Sequence, residues 1–271
     1  MICGLILASG IYPLAIAWRA NRATTLRHAL GWLYAACVAW GLAFLWADLY
    51  PGNAANLVRY VAPCLTSCAA VAVLGARRPG VAAWNFVVLA QLTVLLLPAA
   101  EGLGEVRLDP LRLVFLVTTL ALGVLNYLPT RQAAAMIAGG IGCGVEIALL
   151  QSAREGAPQL ERAAVFSRCL LAASPWLALI TTYTMQPPSS PFARLWIGFR
   201  DRFGLVWGQR VREQFNRVAV HAGWPVVLRW RGLHGAEMVA EKEQGAMLAA
   251  LRALLKRFGR DSIPNESSST L

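Results

Sequence analysis

Seven stretches of the chain are apolar for long enough to cross a bilayer as helix, and short polar or arginine-bearing segments separate them. They cover residues 2–18, 29–47, 57–76, 81–100, 113–128, 132–151 and 163–185. A hydrocarbon core of about 30 Å takes roughly 20 residues of helix. Backbone groups in lipid have no water to bond to, so each run is expected to be helical. The connections Arg77-Arg78-Pro79-Gly80 and Pro129-Thr130-Arg131 leave room only for antiparallel neighbours. Pro63, Pro98 and Pro175 fall inside three of the runs and are candidate kink points.

The pattern changes after residue 185. A Pro/Ser linker, 186–191, ends the seventh run. Phe192, Leu195, Trp196, Phe199, Phe203, Val206 and Trp207 then recur on one helical face. Near Gly208 the phase shifts, and Val211, Phe215, Val218, Ala219 and Ala222 form a second, rotated stripe. Residues 226–230 suit a short strand. Residues 236–258 suit a further helix with Met247, Leu248, Leu251, Leu254, Leu255 and Phe258 on one side. From Gly259 to Leu271 the chain is polar and expected to be disordered. The expected fold is all-α: a polytopic bundle of about seven transmembrane helices (1–185), the linker (186–191), a basic amphipathic cytoplasmic region (192–258) and the tail (259–271).

Composition supports lipid as the solvent. The chain is 57% hydrophobic and 14% charged, against roughly 45–50% and 25% in soluble domains. Its net charge of +11 does not point to nucleic acid, because arginines gather at the ends of apolar runs, where they anchor helices to headgroups. One set of loops carries Arg19, Arg22, Arg27, Arg77, Arg78 and Arg131 and no acid. The other carries six arginines, Arg59 and Arg168 among them, beside six acids. The all-basic loops are shorter, and the tail adds thirteen Lys/Arg on their side. The positive-inside rule then puts the N-terminus outside and the C-terminus in the cytoplasm of a bacterial inner-membrane protein. The first run has no basic segment before it, so it is expected to be a retained helix rather than a cleaved signal.

One carboxylate, Glu146, lies well inside an apolar run. A charge at bilayer depth costs about 2.5–3.5 kcal/mol on insertion scales, so it should be paired, protonated or facing water. Gly139, Gly142 and Glu146 share a helix face, and Gly140 and Gly144 make a GxxxG beside it, so these glycines are expected to pack helices. Arg168, on the next run, falls at a similar depth, and the two charges are expected to pair. Proton or ion coupling by Glu146 is the functional alternative. Gln91, Asn85 and Asn126 are read as hydrogen-bonding packing residues.

Other chemistry is thin. Of the six cysteines only Cys64 and Cys68 are spaced to share a face, and they read as small core residues. Trp18, Trp32, Trp46 and Trp84 suit an aromatic belt. His28, His221 and His234 lie away from the bilayer centre, so no haem pair is expected. No run contains a lysine for a retinal, and no HExxH, G-x-S-x-G or Walker A sequence occurs. No cofactor, metal or catalytic residue is expected.

Arg200, Arg202, Arg210, Arg212 and Arg217 flank the stripes that carry Trp196, Phe199 and Phe203. Residues 192–222 are therefore expected along the cytoplasmic membrane surface, on anionic headgroups. The competing expectation is a compact unit whose two stripes pack on the 236–258 helix. The function expected is a non-enzymatic scaffold, assembly or regulatory component, with a protein partner or anionic lipid at the tail and no nucleic acid. The alternative is a small-solute or ion transporter using Glu146.

Overall fold

A computed structural model of the chain describes residues 9–49, 53–77, 81–101, 109–152, 158–184, 188–235 and 241–259. Among these the fold is almost entirely helical. The order is α1 (Ile11–Asn21), α2 (Arg27–Leu49), α3 (Asn53–Leu74), α4 (Val81–Glu101), α5 (Pro110–Tyr127), α6 (Ala133–Ser152), α7 (Pro158–Thr184) and α8 (Pro191–His221). A hairpin of β1 (Val227–Arg229) and β2 (Gly232–His234) follows, then α9 (Glu241–Leu255) and a 3₁₀ turn, Lys256–Phe258. The hairpin is antiparallel, with Leu228 opposite Leu233.

The second to seventh apolar runs coincide with α2 to α7, the described part of the first overlaps α1, and α3, α4 and α7 continue past Pro63, Pro98 and Pro175. Among the described residues, five helices are long and apolar enough to cross a membrane, over Arg27–Trp46, Ala55–Leu74, Pro110–Tyr127, Ala133–Ser152 and Glu161–Thr184. The apolar part of α4, Ala83–Leu97, is shorter, and the described α1 has eleven residues. The start of the first run lies outside the described residues. Helices α2 and α4 to α7 turn outward large apolar side chains such as Leu45, Phe86, Val114, Leu122, Ile141 and Ile180. So much exposed apolar surface on a bundle suits hydrocarbon, not water.

A capped N-terminus explains why α5 starts before its apolar run. Asp109 precedes α5 and its carboxylate accepts the Arg112 backbone N–H at 2.9 Å, with Pro110 in the first helical position. Ser190 before α8 does the same for Ala193 N–H at 3.0 Å, followed by Pro191. A polar N-cap and a proline at the first position satisfy and preset the first turn.

Two cores form. One lies within the bundle, around Trp40, Phe44, Tyr60, Leu95, Leu116, Cys143, Ile147 and Leu171. The other is shared: Leu26 and Ala29 of the α2 entry, Cys68, Ala72 and Val73 of α3 and Val88 of α4 join Phe192, Trp196, Phe199, Phe203, Trp207, Phe215, Leu228, Met247, Leu251, Leu255 and Phe258. The segment after α7 is thus a compact module seated on one end of the bundle, called here the capped end. Both aromatic stripes of α8 pack inward with α9, as in the second of the two sequence expectations. Gly259, expected to be disordered, is held in a β-bridge to Thr24. Residues 260–271 lie outside the described residues.

Candidate functional site

Two polar constellations stand out. The first surrounds Glu146, which is fully buried on α6. Arg59 of α3 donates from Nη2 to Glu146 Oε2 at 2.7 Å, and Ser167 of α7, also fully buried, donates from Oγ to Glu146 Oε1. The carboxylate therefore joins three helices, and its two oxygens each have a partner. The expected partner, Arg168, is corrected here: its guanidinium lies over the Phe44 ring of α2, 5.1 Å from the centroid. The reason is helical phase. Arg168 and Ser167 sit at nearly one depth but point about 100° apart. The residue facing α6 is Ser167.

Arg59 is the residue that the sequence reading missed. It was counted among loop arginines, yet it lies in the second turn of α3, with its side chain only 16% exposed. It is six residues from the start of α3, as Glu146 is from the end of α6. At 1.5 Å per residue both lie about 9 Å in from the same end. Depth was the available signal; the α3–α6 contact was not encoded in spacing.

The glycines divide as follows. Gly139 and Gly142 face α7: a Cβ at Gly142 would come within 2.7 Å of Leu171 Cγ, and one at Gly139 within 3.1 Å of Ser174 Oγ. Ser174 Oγ in turn donates to the Ala135 carbonyl at 2.9 Å. This is the small-residue face that lets α6 and α7 approach and brings Ser167 to Glu146. Gly140 packs on Val124 of α5 instead. Gly144 is exposed with nothing within 4 Å of a Cβ, so the GxxxG does not act as one packing motif.

The second constellation joins the module to the bundle. α8 is broken at Gly204, whose φ of 78° and ψ of −166° belong to a region essentially reserved for glycine. The break frees backbone groups that a continuous helix would pair. Asn126 near the end of α5 meets them: its Oδ1 accepts from Val206 N–H at 3.0 Å and its Nδ2 donates to the Phe203 carbonyl at 3.5 Å. A Cβ on Gly204 would lie 2.2 Å from Asn126 Nδ2. Beside this, Tyr127 Oη donates to the Arg202 carbonyl at 2.9 Å, and Trp230 Nε1 to the Pro129 carbonyl at 2.6 Å. Trp207 Nε1 donates to the Val73 carbonyl of α3 at 3.0 Å. Thr25, between α1 and α2, donates from its backbone N–H to the Phe258 carbonyl at 2.9 Å and from Oγ1 to the Ala76 carbonyl at 2.8 Å.

The module's arginines have distinct positions. Arg200 is buried: it holds Asp201 at 2.7 Å, donates to the Trp230 carbonyl at 2.9 Å and lies over the Trp230 ring. Arg131 of the α5–α6 connection reaches the same carboxylate at 3.4 Å. Arg210 is exposed and stacks on Trp207; Arg202 and Arg217 are exposed, and Arg212 is half-buried. The expectation that Trp196, Phe199, Phe203 and Arg200 meet the membrane surface is corrected. Trp196, Phe199 and Phe203 are 0%, 3% and 1% exposed inside the module core, where Phe199, Phe203 and Trp207 ring the Phe258 side chain. Burying them there removes more apolar area from water than laying one face on headgroups.

The exposed charge that remains is one-sided. Arg194, Arg202, Arg210, Arg217, Arg229, Arg231, Lys256 and Arg257 are exposed on the described module, against Glu213 and Glu243. Among the described residues no three His, Cys, Asp or Glu side chains come together as a metal site. No family model, no curated protein and no solved structure matches the chain.

Proposed function

We propose that this chain is a non-enzymatic multi-pass scaffold of the bacterial inner membrane, an assembly or regulatory component with a built-in basic cytoplasmic module. In this reading all seven apolar helices cross the bilayer, the N-terminus is outside and the capped end faces the cytoplasm. Arg19, Arg22, Arg27, Arg77 and Arg131 at that end, with the module's own arginines, favour this orientation. The module's exposed cations contact anionic headgroups or an acidic protein partner.

The observation that carries the reading is the division of labour on α8. Its aromatic residues lock the module to the bundle, while the charges it exposes are those of Arg194, Arg202, Arg210 and Arg217 against the single acid Glu213. A surface held at headgroup level needs little intrinsic affinity: each basic residue near an anionic leaflet contributes about 1 kcal/mol. The test is to purify the full-length protein directly from membranes in lipid nanodiscs and identify retained lipids and proteins by mass spectrometry. The parent should retain anionic lipid or an acidic partner in excess, and the Arg202→Gln, Arg210→Gln, Arg217→Gln, Arg229→Gln combination should lose it. Equal retention by both proteins would refute the proposed surface.

The transport reading has one favouring observation, the complete burial of Glu146. Its pairing with Arg59 and Ser167 gives the carboxylate a structural role without a moving ion. Proton-driven uptake into proteoliposomes that vanishes in Glu146→Gln would reverse this preference.

A further inference from the structure

The two bonds that meet α8 just after its break go to different helices. Val206 N–H is accepted by Asn126 of α5 at 3.0 Å, and the next residue, Trp207, donates to the Val73 carbonyl of α3 at 3.0 Å. These two helices are in close contact one turn earlier, where a Cβ on Gly123 of α5 would lie 2.7 Å from the Ala70 Cβ of α3. The α3–α5 seam thus ends directly beneath two adjacent residues of the module.

We propose that Val206 and Trp207 staple α5 to α3, so that α8 is a strap holding the capped end of the bundle shut. Separating α3 from α5 at this end would break at least one of the two bonds. The strap is braced on both sides. Trp207 packs on Phe258 at 5.2 Å between centroids, and the carbonyl of Phe258 accepts the Thr25 amide. On the other side Tyr127 and Pro129 hold Arg202 and Trp230. The break at Gly204 is what permits the geometry: a continuous helix would keep the Val206 amide for itself. Release of the module and opening of the seam are therefore one event. A partner that pulls on the basic face would be felt between α3 and α5.

The experiment uses the full-length chain in nanodiscs, with its native cysteines replaced and spin labels placed at Leu74→Cys on α3 and Leu125→Cys on α5. A second pair at Leu111→Cys and Gln151→Cys marks the far end of the bundle. The parent should show one narrow distance at the capped end. In Asn126→Ala combined with Trp207→Phe, a longer-distance population should rise by about tenfold or more relative to the closed one, the change expected from losing the two hydrogen bonds of Asn126 and the one of Trp207 at ordinary net strength. The far-end pair should not change. An unchanged capped-end distribution would overturn the strap, as would equal broadening at both ends. If the double variant is not recovered as a monodisperse protein, Trp207→Phe alone carries the same test, because it keeps an aromatic ring in the cluster while removing the Nε1 donor.

Discussion

Glu146 shows what single residues revealed in advance and what they did not. A carboxylate in an apolar run had to be paired, protonated or facing water, and its face with Gly139 and Gly142 had to meet a neighbour. Of these alternatives Glu146 is paired, with Arg59 and Ser167, and the neighbour of the glycine face is α7. The identity of the cation was not legible, because a pair between α3 and α6 leaves no mark on local spacing. Removing one member of a buried pair strands the other charge at a cost of about 3–5 kcal/mol. Glu146→Gln and Arg59→Gln should each lower thermal stability markedly, and the double substitution should recover part of the loss. Arg168→Gln should show no such coupling to Glu146→Gln in the same melts. Gly204 makes a second residue-scale prediction. Alanine there meets a glycine-only backbone conformation, which costs about 1–3 kcal/mol, and its Cβ overlaps the Asn126 amide. Gly204→Ala should therefore raise hydrogen exchange through α8 and the module while leaving α6 and α7 protected.

At the scale of elements the apolar runs were the most legible feature, since the second to seventh each coincide with a helix and the described part of the first overlaps one. Their limits were less so. An apolar window marks the part of a helix suited to lipid, whereas capping at Asp109 extends α5 beyond that part. The α8 stripes were also visible, and their change of phase was placed at Gly208. The backbone breaks one turn earlier, at Gly204, and Gly208 has another reason to be small: a Cβ there would lie 2.9 Å from the Trp230 ring. A glycine that makes room for a ring and one that breaks a helix look alike in sequence. The start of α8 is testable. Ser190→Ala removes the side-chain N-cap of a 31-residue helix and should cost about 1 kcal/mol in chemical unfolding of the module. Ser189→Ala, one residue earlier and outside the cap, should have little effect.

At the scale of the whole molecule the docking of module on bundle was not legible, because hydrophobic periodicity tells that a face is covered but not by what. Arg/aromatic stripes after a membrane domain fit a surface helix and a packed core equally well. The shared core decides for packing: Phe192, Trp196 and Phe203 of α8 belong to one cluster with Ala29 of α2, Cys68 of α3 and Val88 of α4. This arrangement makes the protein a membrane bundle that carries a fixed basic surface at one end. The account requires that surface to lie in the cytoplasm, and its most direct test is topological. Single cysteines at Arg217→Cys, exposed on the module, and at Gln151→Cys, exposed at the far end of α6, are introduced into a cysteine-depleted full-length chain. Cells with a permeabilised outer membrane are then treated with an impermeant thiol reagent. The account predicts labelling of Gln151→Cys in intact cells and of Arg217→Cys only after the inner membrane is opened. Labelling of Arg217→Cys in intact cells would contradict it.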